Sequence, residues 1–209
     1  EVEMVVRDAY GREQRVRLDY FVSPQLLNPD LRAFEYSIGL QRRGYGDQTD
    51  YQDVIAVVTE RRGLSNRLTG EWHSEITRDQ VRSGFGAIVL GSGAGLYSVN
   101  IAGSTSKQGS GWMASGAYEW RGDTFFGSAG VTFASDDFDA ASLPDERSAR
   151  RRLHASLGWS PAVGGSLSLS YLRLDRFNGE DFEFASLGYQ FDIGRFGHLQ
   201  FSASHTRLP

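Results

Sequence analysis

Apolar and polar side chains alternate through most of the sequence, in runs of strand length that are separated by short segments rich in Gly, Asp and Asn. One of the clearest runs sets three large apolar residues against three serines: Leu167, Leu169 and Tyr171 against Ser166, Ser168 and Ser170. Successive side chains of a β-strand point to opposite faces, so each set shares one face, whereas a helix would mix the two sets. The pattern therefore predicts an all-β chain.

The same alternation predicts thirteen strands along the chain. Their expected ranges are 2–7, 14–22, 33–42, 54–62, 67–77, 81–90, 96–105, 111–120, 124–134, 151–159, 166–174, 183–192 and 198–206. Each expected strand is followed by a break in the pattern, and neighbouring strands are close enough in sequence for simple antiparallel pairing.

The connections between these strands fall into two classes that alternate along the chain. Short connections that contain Gly and suit β-hairpins are expected at 63–66, 91–95, 121–123, 161–165 and 194–197. Those between them are mostly longer and rich in charge, as at 43–53, 135–150 and 175–182. Short connections at one end and long ones at the other are typical of antiparallel barrels in outer membranes.

The polar side of the predicted strands consists mostly of Ser, Gly, Thr, Asn and Ala, with isolated charges. A soluble β-sandwich would carry many Lys, Glu and Arg on its solvent side, whereas small polar residues suit a confined, water-filled lumen. Alternation by itself fits both, so a soluble all-β domain is the alternative. The candidates for lining a lumen are Glu35, Ser37, Gln41, Arg67, Glu71, His73, Glu75, Asn100, Glu119, Arg152 and His154.

Aromatic residues gather toward the ends of the predicted strands. In outer-membrane barrels such residues form girdles at the two lipid–water interfaces. The predicted positions at the lipid interface are Trp112, Trp120, Phe125, Phe133, Trp159, Tyr189 and Phe191. The predicted fold is therefore a partial transmembrane β-barrel of about eleven antiparallel strands, in contact with outer-membrane lipid.

Composition and charge argue against several other classes of protein. The 209 residues include no Cys, which excludes disulfides, thiol catalysis and Cys-ligated metals. The 22 Lys and Arg are scattered among 26 Asp and Glu, so no basic stripe points to nucleic acid. No apolar run approaches the roughly 18 residues of a transmembrane helix. No pattern in the sequence pairs any of the four His with a nucleophile and an orienting acid. We therefore predict that the protein is not an enzyme, and we predict no catalytic residue, cofactor or metal.

The first part of the chain differs from the rest. The runs 1–7 and 14–22 flank a turn and are expected to form a hairpin with charge on one face. Pro24 and Pro29 lack a backbone donor and interrupt any strand that would follow. We therefore predict a boundary, with a hairpin and its exit linker at 1–28 and the barrel strands at 29–209.

Three segments of the chain resemble the outer-membrane ushers of chaperone–usher fimbriae. They read Glu-Met-Val-Val-Arg-Asp-Ala-Tyr-Gly-Arg-Glu-Gln at 3–14, Tyr-Phe-Val-Ser-Pro-Gln-Leu-Leu at 20–27, and Phe-Glu-Tyr-Ser-Ile-Gly-Leu-Gln-Arg-Arg-Gly-Tyr-Gly at 34–46. In ushers a similar stretch leads from the plug domain into the barrel strand that follows it. The run of alternating Leu and Ser at 167–171 is also similar to usher barrel strands.

The resemblance implies a protein-secretion pore in the cell outer membrane. Ushers receive folded pilin subunits from periplasmic chaperones and add them to the growing fimbria by donor-strand exchange, which trades backbone hydrogen bonds and uses no ATP. The implied partners are periplasmic chaperone–pilin complexes and the fimbria, with an usher dimer as a further possibility. The sequence would then be a segment of a larger protein, covering the end of the plug and part of the barrel. A passive porin or an adhesin-anchoring barrel is the alternative.

Overall fold

A computed structural model of the chain describes residues 2–7, 13–18, 26–43, 50–91, 95–107, 109–138, 149–178, 180–194 and 197–207. Side chains are described from residue 26 onward, apart from those at 41–43 and 50–52. Within these ranges no helix is long and apolar enough to cross a bilayer.

The described residues form thirteen β-strands, as the alternation predicts. They are β1 (Val2–Arg7), β2 (Glu13–Leu18), β3 (Arg32–Arg43), β4 (Asp50–Ser65), β5 (Leu68–Ile76), β6 (Gln80–Leu90), β7 (Gly95–Ser106), β8 (Gly109–Arg121), β9 (Phe125–Ala134), β10 (Arg151–Trp159), β11 (Ser166–Asp175), β12 (Phe182–Asp192) and β13 (His198–Arg207). The largest difference from the sequence prediction is β4, which extends beyond its expected range of 54–62 at both ends. The prediction of an all-β chain is confirmed.

The strands form two separate sheets. Strands β1 and β2 pair with each other as an antiparallel hairpin. Strands β3 to β13 form one eleven-stranded sheet in which each strand pairs with its neighbours along the chain, and all of these pairs are antiparallel. Among the described residues, β3 and β13 are the two edges of this sheet and are not paired with each other. The sheet is the up-and-down arrangement of a partial barrel, as predicted.

The eleven-stranded sheet has one apolar and one polar face. The apolar face carries large side chains that are well exposed, including Ile38, Phe85, Ile101 and Phe201, each more than 60% exposed. The polar face carries mostly Ser, Thr, Gly and Ala, with a few amides and scattered charges. Because neighbouring strands are paired in register, each face is continuous across the sheet. So broad an exposed apolar surface requires an apolar medium or a partner, which a bilayer supplies to a barrel.

The connections divide the sheet into two edges. At the short-connection edge, the links after β4, β6, β8, β10 and β12 are two to six residues long, and Gly164, Gly165, Gly194 and Gly197 take positive φ in the last two. At the long-connection edge, the link from β9 to β10 spans 135–150, while the links at 77–79 and 107–108 are as tight as those at the other edge. The links at 44–49 and 176–181 have six residues each, as many as the 160–165 link at the other edge, so the difference in length between the edges comes almost entirely from the 135–150 link.

The polar face becomes apolar near the long-connection edge, which the sequence pattern does not predict. Leu172, Leu174 and Phe182 form one buried cluster, against which Ala149 packs. Phe138 forms a second buried cluster with Ala102 and Ala134. Both ends of the β9–β10 connection thus lie on the polar face, and they bury the apolar side chains that stand there.

Candidate functional site

The polar face collects most of the side chains that the sequence predicts to line a lumen. The members that lie on it are Glu35, Ser37, Glu71, His73, Glu75, Asn100, Glu119, Arg152 and His154. Arg67 lies instead in the tight turn between β4 and β5, where its carbonyl accepts a hydrogen bond from Leu90. Gln41 stands at a register shift between Leu40 and Arg42, and its side chain lies outside those the structure describes. A role in lining a pore remains a prediction for all of these residues.

A network of polar side chains, here called the ion-pair cluster, crosses β4, β5 and β6 on the polar face. Its members are Thr59, Arg61, Glu71, His73, Glu75 and Arg82. Each cross-strand contact joins residues that face each other in the register. Arg61 Nε lies 3.0 Å from Glu71 Oε2. The hydroxyl of Thr59 lies 2.8 Å from His73 Nδ1.

Glu75 is the centre of the ion-pair cluster. Its Oε1 accepts a hydrogen bond from Arg82 Nη2 at 2.5 Å and lies 3.0 Å from His73 Nε2. The Arg82 side chain is only 2% exposed and that of Glu75 only 7%. Charges buried to this degree are tolerated only when paired, because an unpaired charge would bear the full cost of desolvation. The opposite charges of Glu75 and Arg82 therefore compensate each other within the polar face.

The arginines and glutamates of the ion-pair cluster balance in number, two of each. Glu71, His73 and Glu75 are among the residues predicted from the sequence, whereas Arg61 and Arg82 are not. Arg82 could have been predicted from the tight turn at 77–79, because a hairpin with that turn places residue 82 opposite residue 75. Arg61 could not be found in this way, because a register shift in β4 intervenes between Gly63 and Ser65.

Beyond the ion-pair cluster, the polar face consists largely of small hydroxyl and amide groups. Asn100 Nδ2 donates to Ser115 Oγ over 3.1 Å. The hydroxyls of Ser128 and Ser156 lie 2.8 Å apart. These groups thus bond to one another across neighbouring strands.

Two further polar side chains, Arg152 and His154, lie on the polar face of β10. The imidazole of His154 lies over Gly130 of β9, so that a Cβ at that position would fall 2.3 Å from His154 Cε1. A glycine at position 130 thus leaves free the space that the ring occupies. Among the described residues, no group of three or more His, Asp or Glu side chains is arranged to hold a metal ion.

The segment 26–31, here called the linker, is fastened to the polar face beside the short-connection edge. Leu27 N donates to the hydroxyl of Thr69 over 2.8 Å, and Thr69 is 1% exposed. Asp30 N donates to the Gly63 carbonyl, and Gly63 N donates to the Leu31 carbonyl. The linker therefore runs along the inside of the sheet before it turns into β3.

Only glycine at position 63 permits this attachment. A Cβ built on Gly63 would lie 2.1 Å from the carbonyl oxygen of Asn28, a distance that no real contact of this kind shows. Asp30 takes a φ of 66° in the turn that follows, a conformation that Asp tolerates better than most residues. The backbone of the linker is thus packed directly on the backbone of β4.

The aromatic residues predicted to meet lipid lie on the apolar face in two groups. Those near the short-connection edge are Trp120, Phe125, Trp159, Tyr189 and Phe191, and those near the long-connection edge are Trp112 and Phe133. The rings of Phe125 and Trp159 are neighbours, with centroids 6.4 Å apart. Trp72 and Phe85 also lie on this face but in the middle of their strands, so aromatics are not confined to the two ends. A role at the lipid interface remains a prediction for the seven residues.

The two faces should respond differently to the same charged substitution. Leu169 and Ser168 are adjacent in the middle of β11, both exposed, on the apolar and the polar face respectively. We expect Leu169→Arg to lower the free energy of unfolding by about 2–4 kcal/mol in lipid, because the charge meets hydrocarbon. Ser168→Arg is the matched control and should cost far less. Denaturant titration of the protein in liposomes measures both, and equal losses would contradict the assignment of the faces.

This architecture is that of an outer-membrane β-barrel: a single antiparallel sheet, apolar and girdled with aromatics on one face, polar on the other. Comparison with solved structures gives the same class. No protein-family model and no curated protein sequence matches the chain.

Two of the similar structures are ushers. The chain matches a chain of the Escherichia coli P pilus tip assembly intermediate PapC-PapD-PapK-PapG with a TM-score of 0.73 and 18% identity, over 99% of this chain and 28% of that one. It matches the translocation pore of the P pilus usher PapC with a TM-score of 0.73 and 20% identity, over 97% of this chain and 44% of that one.

A third similar structure is OccK8 (OprE) of Pseudomonas aeruginosa, with a TM-score of 0.53 and 14% identity, over 83% of this chain and 58% of that one. At these identities the likeness concerns the fold. The resemblance to ushers noted in the sequence is thus supported by a fold in common with the PapC barrel. The chain spans less than half the length of either usher chain it matches.

Proposed function

We propose that this chain forms part of the wall of an outer-membrane usher pore, through which chaperone-delivered fimbrial subunits are secreted and assembled. The observation that carries the proposal is the linker, which reaches β3 along the polar face and is bonded there to Thr69 and Gly63. A plug held within the lumen must be connected to the barrel strands from the lumen side, and the linker has that position. A barrel without a plug has no need of it.

The composition of the polar face suits the passage of folded proteins. Its largest charged feature, the ion-pair cluster, pairs two arginines with two glutamates and is mostly buried. The remainder is dominated by small side chains that bond to one another. Such a wall holds few exposed charges that could bind one protein surface tightly, so varied subunits can slide past it.

The proposed partners follow from the usher likeness. The assembly intermediate that the chain resembles contains PapC together with PapD, PapK and PapG. By analogy, we assign complexes of a periplasmic chaperone with a pilin subunit, and the growing fimbria, as the partners of this protein. Assembly then proceeds by exchange of one β-strand for another, without catalysis by the pore.

Deletion of the gene that encodes the intact protein tests this function. We expect surface fimbriae to disappear while chaperone–subunit complexes accumulate in the periplasm, because the subunits lose their exit. Electron microscopy and periplasmic immunoblots measure the two effects, and complementation with the intact gene is the control. Unchanged fimbriation would contradict the proposal.

A passive porin is the second candidate, favoured by the likeness to OccK8 (OprE). The same deletion strain separates the two functions. Loss of a porin would slow uptake of a small solute and leave fimbriae in place, whereas loss of an usher would do the reverse. The higher TM-score and coverage of the usher pore, together with the inward linker, favour the usher.

A further inference from the structure

A row of charged residues crosses the apolar face of β10 to β13 at the long-connection edge. Its members, here called the arginine ladder, are Arg151, Arg173, Asp175, Glu183 and Arg207. The register sets Arg151 opposite Asp175, Arg173 opposite Glu183, and Glu183 opposite Arg207. Three arginines against two carboxylates leave a net positive charge on the membrane side of the sheet.

Two of these arginines are held together by one carboxylate. Arg151 Nε donates to Asp175 Oδ2 over 2.6 Å, and Arg173 Nε donates to Asp175 Oδ1 over 2.8 Å. The side chains of Arg151 and Arg173 are 39% and 41% exposed, while that of Asp175 is 17% exposed. The carboxylate is thus the least exposed of the three groups, and both guanidinium groups remain accessible while they are bonded to it. A guanidinium has five N–H donors, so each keeps donors for a second anion.

The position of the arginine ladder matches a membrane boundary. Along β10, the residues that follow Arg151 on the same face are Leu153, Ala155, Leu157 and Trp159. The apolar band of the sheet therefore begins immediately beside the ladder and ends at the aromatic girdle of the short-connection edge. Charges directly above such a band lie at the depth of lipid headgroups.

We propose that the arginine ladder binds the phosphate groups of a phosphorylated glycolipid in the outer leaflet, with Arg151 and Arg173 as the two principal donors. The inference rests on the proposed function, because the long connections face the cell exterior only if the sheet spans the outer membrane. Arginine binds phosphate through paired N–H groups, and the shared Asp175 holds both side chains in place before the lipid arrives. The ladder thereby fixes the height of β10–β13 in the membrane.

Lipid binding by the intact protein, purified in detergent, tests this inference. The probes are phosphorylated lipid A, the same lipid without phosphates, and inorganic phosphate. We expect the phosphorylated lipid to bind about tenfold or more tightly than the dephosphorylated one, as one good charged contact provides. The double variant Arg151→Gln/Arg173→Gln should lose this preference. Arg32→Gln, which removes an exposed arginine from the apolar face at the opposite edge, is the matched control and should keep it.

A third variant distinguishes loss of the lipid site from misfolding of the double variant. Asp175→Asn keeps both arginines but removes the carboxylate that holds them in place, so we expect it to keep a preference for phosphorylated lipid A that is weaker than that of the parent protein. Equal binding of the two lipids by the parent protein, a preference that survives in the double variant, or equally tight binding of inorganic phosphate would each overturn the inference. Flotation of the variants with liposomes reports membrane insertion separately, so a failure of the proposed barrel would be distinguished from a failure of the lipid site.

Discussion

Replacement of Arg82 by Met is expected to destabilise the barrel by about 3–5 kcal/mol, the typical cost of removing one partner from a buried ion pair. Arg82 is nearly inaccessible and donates to Glu75, which is buried beside it. Without the guanidinium, the Glu75 carboxylate loses its buried cationic partner and retains the contact with His73. The midpoint of urea unfolding of the protein in liposomes measures the loss.

Two further variants make the effect specific to the pair. Glu75→Leu combined with Arg82→Met should recover most of the lost stability, because a buried ion pair can often be replaced by apolar residues at little cost. Lys107→Met breaks the exposed pair with Asp79, in which the nitrogen and oxygen lie 2.7 Å apart, and should cost no more than about 1 kcal/mol. A double variant as unstable as Arg82→Met alone would show that the pair does not account for the loss.

Replacement of Gly63 by Val is expected to detach the linker from the polar face. The new side chain would occupy the space of the Asn28 carbonyl, so the linker must move and its hydrogen bonds to Gly63 and Thr69 are lost. Three hydrogen bonds at roughly 1 kcal/mol each amount to about 3 kcal/mol, which raises the exposed population of the linker about 100-fold. Hydrogen–deuterium exchange of residues 26–31 in the intact protein measures this change.

Gly39→Val is the matched control for the linker. Gly39 lies on the same face in β3, and a Cβ built there has no atom within 4 Å. Exchange at 26–31 should therefore stay at its original rate. If the linker restrains a plug, Gly63→Val should also raise the open-channel conductance of the intact protein in a planar bilayer. Unchanged exchange in Gly63→Val would contradict the attachment itself, whatever the conductance.

The number of strands and the two faces could be predicted from sequence because the side-chain period of a strand is fixed by the backbone. The same serines that alternate with Leu167 and Leu169 do lie on the polar face of β11. The alternation failed at Leu172 and Leu174, which continue the serine side of that strand. They are apolar because Ala149, distant in sequence, packs against their cluster, and no periodicity within β11 records that contact.

The candidate site was only partly predictable for a similar reason. Alternation placed Glu71, His73 and Glu75 on one side of β5, since that follows from position alone. Their partners depend on register, which turns and bulges set. The register shift between Gly63 and Ser65 places Arg61, and not Arg62, opposite Glu71. Without that shift, the hairpin turn would bring Arg62 to the polar face and leave Arg61 among the lipid-facing residues.

For this protein the sequence by itself determined the secondary structure, the antiparallel order and the division into an apolar and a polar face, because local backbone geometry and hydrophobic patterning encode all three. Tertiary structure decided which charges meet, where the linker is fastened and which part of the polar face is covered. These depend on atoms far apart along the chain, such as Asn28 against Gly63, whose close approach exists only after the sheet has formed.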